Sequence, residues 1–245
     1  PEGETLADNF YIYNLNMKRG TLRGTVYYAG LFSILGVNSH VHDINITQSS
    51  IQLTDTEANY GRLFNGGMLA GRLNAGTIED VLLDVEIDLG TNALGETHVG
   101  ALVGQAAGVI ARVSSRGDMH ANTHTFQPSY SIRPYYYIGG IVGSAALGAE
   151  LNMRDVINYG DIYGFGTMST FSFASGVSKI DIKIGGVIGY ILNTASVSHH
   201  LVYATNMGDL ILDDVIHAPS MPSSQNVGGV FGEAAGPAPI LYDVV

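Results

Sequence analysis

Short apolar runs alternate with glycine or acidic turns along most of this chain of 245 residues. Each run spans about 4–6 residues and is rich in β-branched side chains, as is typical of strands. No segment of useful length keeps the helical period of 3.6 residues. The pattern therefore predicts an all-β protein built from many short strands.

A short glycine motif recurs six times, with successive copies 34 to 46 residues apart. Some copies are followed, in a fixed order, by an apolar-acidic turn and a Gly-Asp step. The copies are Gly30-Leu31-Phe32-Ser33, Gly67-Met68-Leu69-Ala70, Ala101-Leu102-Val103-Gly104, Gly140-Ile141-Val142-Gly143, Gly186-Val187-Ile188-Gly189 and Gly229-Val230-Phe231-Gly232. One unit cannot bury its apolar side alone, whereas stacked units can. The sequence predicts a right-handed parallel β-solenoid (β-helix) of about six rungs, each of 34–46 residues.

The last three copies resemble the GLUG motif, a repeat found in bacterial surface and secreted proteins. The similarity extends over roughly residues 28 to 232, although Ala101 replaces one glycine and the first two copies end in Ser33 and Ala70. The resemblance implies a large protein located outside the cell or at its surface, of an adhesin-like or stalk-like type. It implies no catalytic residues.

The repeat indicates one continuous solenoid over residues 1–245, with excursions predicted at 122–137 and 163–179. Both ends fall within a rung, because Leu22 aligns with Ile162 and residues 241–245 match the first half of a unit. Two interpretations are open. The chain is part of a longer solenoid, or copies of it stack end to end into a filament.

Composition excludes several classes of protein. The chain is 46% hydrophobic and 13% charged, unlike a disordered chain. It has no cysteine, so disulfides and thiolate metal sites are excluded. Its net charge of −11 and scattered basic residues argue against nucleic acid as a partner. No apolar run approaches the ~18 residues of a membrane span.

Aspartates give the strongest candidate chemistry, because equal positions on stacked strands lie about 4.8 Å apart. Asp118, Asp161 and Asp209 would form one row, and Asp43 and Asp80 another. Three interpretations remain: capping of turns through backbone N–H groups, weak binding of a cation such as Ca²⁺, or acid/base catalysis on a polysaccharide. The Arg116-Gly117-Asp118 tripeptide is interpreted as one of these turns, although integrins read this tripeptide in some ligands.

Aromatic side chains are the candidates for contact with a glycan or a surface protein. The candidate positions are Tyr135, Tyr136, Tyr137, Phe165, Phe171 and Phe173. The eight histidines are interpreted as surface or turn residues, because pairs of histidines without a third ligand are weak evidence for zinc.

The sequence thus predicts a non-enzymatic, extracellular structural or adhesive module without a cofactor. Its partners would be further copies of itself, or more of the same solenoid in one chain. The alternative is a polysaccharide lyase or hydrolase that uses stacked carboxylates on a β-helix.

Overall fold

The structure is a computed structural model that describes residues 10–17, 21–23, 26–52, 63–89, 96–122, 135–165, 180–212, 223–237 and 239–245. These residues form twenty-two strands and no helix, which confirms the predicted all-β class. No helix capable of crossing a membrane occurs among them.

The strands are numbered in chain order. They are β1 Phe10–Tyr13, β2 Asn16–Met17, β3 Thr21–Arg23, β4 Val26–Ala29, β5 Phe32–Leu35, β6 His40–Gln52, β7 Leu63–Gly66, β8 Ala70–Asp88, β9 Glu96–Gly100, β10 Val103–Ser115, β11 Met119–Asn122, β12 Tyr135–Gly139, β13 Val142–Ala145, β14 Leu151–Asn158, β15 Ile162–Phe165, β16 Ile180–Gly185, β17 Ile188–Leu192, β18 His200–Asn206, β19 Leu210–Leu212, β20 Ser223–Gly228, β21 Phe231–Ala235 and β22 Ile240–Tyr242.

The described strands belong to two sheets. The smaller sheet has the order β20-β16-β12-β9-β7-β4-β3. The larger sheet contains the other fifteen strands, and its longest path is β19-β15-β11-β8-β10-β13-β17-β21. Pairing between these strands is parallel, as predicted, except that β3 lies antiparallel to β4. Strands far apart in sequence are therefore neighbours in space.

The glycine motifs lie in register across the smaller sheet. Gly100, Gly139, Gly185 and Gly228 occupy the same position on four adjacent strands. The second copy corrects the sequence alignment, because Gly66 pairs with Val99 and Gly67 therefore matches Gly100 instead of Ala101. The glycine that ends this copy is Gly71, which the alignment had counted as lost. The Gly-Gly pair at 66–67 looks like the Gly-Gly pair at 139–140 in the sequence, but the two pairs are shifted by one residue in the strand register. This shift explains the error in the alignment.

The N-terminal strands also correct the alignment. Met17 pairs with Ile51, and the same column continues through Ile87, Met119 and Ile162. Met17, and not Leu22, is therefore the counterpart of Ile162. The strand that contains Leu22, β3, turns back instead and pairs antiparallel with β4, which covers a backbone edge of the smaller sheet.

Buried apolar side chains form columns across the larger sheet, one from each strand at the same register. Two such columns are Ile78–Ile110–Met153–Leu201 and Val81–Val113–Val156–Ala204. All eight side chains are buried in the hydrophobic core. Their removal from water is the main favourable contribution to the stability of such a stack.

A left-handed residue interrupts each strand between these two columns. The residues are Asp43, Asp80, Arg112, Asp155, Tyr203 and Asp243, with φ between 46° and 56°. This conformation is unfavourable for most side chains but less so for Asp. Because neighbouring strands bend at the same place, they keep their register through the bend. The acidic turns predicted from the sequence correspond to four of these positions.

The two predicted excursions are described only in part. Residues 135–137 belong to β12 and residues 163–165 to β15. The rest of both excursions, residues 123–134 and 166–179, lies outside the described residues.

Candidate functional site

A layer of polar and aromatic side chains, here named the polar seam, connects the two sheets. From the smaller sheet it contains residues that share one register position on four adjacent strands, namely His98, Tyr137, Lys183 and Asn226. From the larger sheet it contains Ser144, Tyr190 and Glu233, which likewise share one position. The contacts His98–Ser144 and Lys183–Glu233 join residues 46 and 50 positions apart in sequence.

Aromatic rings occupy the middle of the polar seam. The ring of Tyr137 stacks on that of Tyr190, with centroids 4.7 Å apart, and lies 4.8 Å from the ring of His98. Tyr135 stacks on Tyr137 at 6.2 Å. Tyr136 points to the opposite side of the strand, into the hydrophobic core. Burial raises the pKa of both Tyr136 and Tyr137, so both phenols stay protonated.

His98 links a serine and a carboxylate inside the polar seam. Its Nδ1 lies 2.6 Å from Ser144 Oγ, and its Nε2 lies 3.1 Å from Glu96 Oε1. Burial lowers the pKa of His98, whereas the contact with His98 lowers the pKa of Glu96. A nucleophilic serine needs the same three groups, but with its hydroxyl at Nε2 and the carboxylate at Nδ1, so the imidazole of His98 is reversed relative to that arrangement. Ser144 is also only 1% exposed, so a substrate has no route to its hydroxyl in this conformation.

Lys183 and Asn226 meet at a single carboxylate oxygen. Lys183 Nζ and Asn226 Nδ2 both donate hydrogen bonds to Oε2 of Glu233. Lys183 is 8% exposed, and its Nζ lies 5.7 Å from the centroid of the Tyr190 ring. The buried ammonium therefore has both an ion-pair partner and an aromatic face, as a buried charge requires.

The three aspartates of the predicted row are brought together as expected. Met119, Ile162 and Leu210 share one column, so Asp118, Asp161 and Asp209 share the preceding one. Asp161 N–H donates to Asp118 Oδ1 at 2.9 Å, and Asp209 N–H donates to Asp161 Oδ1 at 2.8 Å. This is the geometry of backbone capping. Within the described ranges, no three His, Asp or Glu side chains are arranged to hold a metal ion.

The Arg116-Gly117-Asp118 tripeptide lies at this row. A side chain on Gly117 would overlap backbone atoms of Val85, which shows how closely the turn packs against β8. A cavity of about 570 Å³ borders the turn and is lined mainly by polar residues, among them Asp84, Glu86 and His120.

A charged cluster surrounds the left-handed residues of β8 and β10. Arg112 donates from Nε to Asp80 Oδ1 and from Nη2 to Glu79 Oε2, both at 2.6 Å. His40 Nε2 lies 2.6 Å from the other oxygen of Glu79. The contacts with His40 and Arg112 lower the pKa of Glu79, and Arg112 lowers that of Asp80. Arg112 thus separates the carboxylates of Asp80 and Asp155 in a row that is otherwise mostly acidic.

His199 is a structural residue that sequence reasoning placed wrongly. Like His98, which is also buried, it was expected at the surface or in a turn, but it is fully buried. Leu151 N–H donates to its Nδ1 at 3.1 Å, so that nitrogen carries no proton. Its Nε2 lies 3.2 Å from the carbonyl oxygen of Leu192 and donates to it. Burial lowers the pKa of His199, which keeps the ring neutral.

The phenylalanine candidates are described least. The backbone of Phe165 ends β15, while its side chain, together with Phe171 and Phe173, lies outside the described residues. The tyrosine candidates do not form an exposed contact surface, because Tyr136 is buried in the hydrophobic core and Tyr137 in the polar seam, and only Tyr135 of the three is partly exposed.

Comparisons with known proteins found no match to this chain among protein-family models, curated proteins or solved structures. The resemblance to the GLUG repeat therefore remains a prediction from the sequence motifs.

Proposed function

We propose that the chain is a right-handed parallel β-solenoid of about six rungs that serves as a non-enzymatic structural or adhesive module outside the cell, and that copies of it stack end to end. The single observation that carries this proposal is the common register of motif glycines and core columns across successive parallel strands. Such a stack is rigid because each strand is held by its neighbours on both sides.

The state of the polar groups supports a structural role over the alternative, a polysaccharide lyase or hydrolase. Asp118 and Asp161 each use a carboxylate oxygen to cap the backbone of the next strand. Ser144, in the serine–imidazole–carboxylate chain, is buried. A glycosidase needs two carboxylates that are free to face a sugar. The carboxylates of Asp118 and Asp161 are instead engaged in hydrogen bonds that stabilise the fold.

Register continuity supports a second copy as the partner at the strand edges. Through β8, β10, β14 and β18, His40 of β6 occupies the same column as Ile240 of β22. A second molecule could therefore place the start of its β6, residues 40–42, which neither β1 nor β2 covers, on β22 without changing the pattern. Both edges carry exposed aromatic residues, since Phe10 of β1 is 73% exposed and Tyr242 of β22 is 58% exposed. Exposed apolar strand edges favour association.

Electron microscopy of the purified chain at low and high concentration tests this proposal. We expect filaments at high concentration with an axial repeat of about 30 Å, because stacked strands lie about 4.8 Å apart. Leu241→Lys, which places a charge on β22, should abolish the filaments. Leu147→Lys, at an exposed turn position between β13 and β14, is the matched control and should not.

Two results would overturn the proposal. Single particles at every concentration would refute end-to-end stacking. Cleavage of a polysaccharide by the wild-type chain, lost in a folded Asp161→Ala variant, would establish the enzymatic alternative instead.

A further inference from the structure

The contacts of Lys183, Asn226 and Glu233 have a chemical consequence beyond a scaffold role. We propose that these three residues form an intramolecular isopeptide bond, in which Lys183 Nζ becomes covalently joined to Cγ of Asn226 with Glu233 as the proton carrier. The bond would link β16 to β20.

The backbone places the two reacting side chains side by side. Lys183 and Asn226 are direct partners in the parallel pairing of β16 with β20. One oxygen atom, Glu233 Oε2, accepts hydrogen bonds from both Nζ and Nδ2. The two nitrogen atoms therefore lie within about two hydrogen-bond lengths, roughly 6 Å, of each other. Rotation within the two side chains is enough to bring Nζ to the amide carbon.

Glu233 touches both groups between which protons must move. Its carboxylate takes a proton from the Lys183 ammonium, leaving a neutral amine with a free electron pair. That pair attacks Cγ of Asn226, and the C–Nδ2 bond then breaks. The carboxyl group returns its proton to the departing nitrogen, and the second amine proton follows it, so ammonium is released. No oxidant, reductant or other co-reactant is required, and Glu233 ends as it began.

The surroundings shield the Lys183 amine from water and hold it near the Asn226 amide. Lys183 is 8% exposed, and its Nζ lies 5.7 Å from the centroid of the Tyr190 ring. Tyr137 in turn stacks on Tyr190. Water that would solvate the ammonium is therefore largely excluded. Holding the nucleophile and the amide on one carboxylate oxygen lowers the entropic cost of bringing them together.

Mass spectrometry of the full folded chain tests the proposal. We expect an intact mass lower than the sequence mass by one ammonia molecule. Cyanogen bromide cleaves after Met207 and Met221, which separates Lys183 in fragment 169–207 from Asn226 in fragment 222–245. In the wild-type chain these two fragments should remain joined. Lys183→Arg keeps the charge but cannot form the bond, so its fragments should separate.

Glu233→Gln is the mechanistic variant, because it keeps the shape of the side chain but removes the proton carrier. Its fragments should also separate, with folding checked by circular dichroism. Ring closure at Asn65-Gly66 to a succinimide would cause the same loss of mass. It would not join fragments 169–207 and 222–245, and it would persist in Lys183→Arg. Separate wild-type fragments after prolonged incubation of the folded chain would overturn the proposal.

Discussion

The substitution Gly186→Ala tests directly whether successive strands stack as closely as described. A Cβ atom at position 186 would overlap the carbonyl oxygen of Gly229 and the side-chain amide of Asn206. Neither neighbour can move freely. Gly229 belongs to the next motif, and Asn206 donates a hydrogen bond to the carbonyl oxygen of Gly208 at 2.8 Å.

The expected loss of stability follows from these contacts. Overpacking typically costs about 1–3 kcal/mol, and a disturbed buried hydrogen bond adds about 1 kcal/mol. Replacing glycine returns about 0.4–1 kcal/mol through the unfolded state. We therefore expect Gly186→Ala to be destabilised by about 1–3.5 kcal/mol. For a chain of this size, that corresponds to a fall in Tm of roughly 2–14 °C.

Gly229→Ala is the matched control, because Gly229 holds the same motif position but has no atom within 4 Å of its added Cβ. Its Tm should equal that of the wild type or rise slightly. Thermal unfolding followed by circular dichroism at low protein concentration measures all three proteins. A Gly186→Ala variant that melts within about a degree of the control would refute the close stacking of these motifs.

Three further predictions concern the core, a buried imidazole and the charged cluster. Val187→Asp buries an unpaired charge in the core and should cost about 3–5 kcal/mol, measured by urea denaturation. Val187→Ile adds only a methylene there and should cost less, about 1–3 kcal/mol. The folded state lowers the pKa of His199, so as pH falls below 6.5 the unfolded state binds a proton before the folded state does. The free energy of unfolding should therefore decline in that range. His199→Gln should make this decline smaller, as measured by melting curves at several pH values. A decline of unchanged size in that variant would exclude His199 as its source. Arg112→Gln should lower Tm in dilute buffer, and the difference from wild type should shrink in ~1 M salt, because exposed ion pairs are screened; a salt-independent difference would contradict an electrostatic role.

The sequence predicted the parts of this structure that depend on repetition. The glycines at 139, 185 and 228 and the aspartates at 118, 161 and 209 fall into register because identical local geometry recurs on each strand. The position of Gly67 was misjudged, since the doublet at 66–67 has the same composition as the later doublets and nothing in the motif itself reveals a shift of one residue.

Contacts between the two sheets could not be predicted in this way. Lys183 and Glu233 are 50 residues apart and belong to different sheets, so no periodic spacing connects them. His199 is fixed by Leu151 and Leu192 through backbone groups, which carry no sequence signature. The position of Arg112 could have been predicted, because the repeat alignment places it where neighbouring strands have aspartate.

The aspartate row has a direction. Asp118 accepts from the strand that follows it, and Asp161 accepts from the next, so each carboxylate is satisfied by a backbone group that arrives later in the chain. During synthesis, each completed turn therefore offers an acceptor to a segment that has not yet emerged. Folding that proceeds from the N-terminal side would find the acceptor carboxylate already in place at both steps, whereas folding in the opposite direction would place the N–H groups of Asp161 and Asp209 before their acceptors are in position.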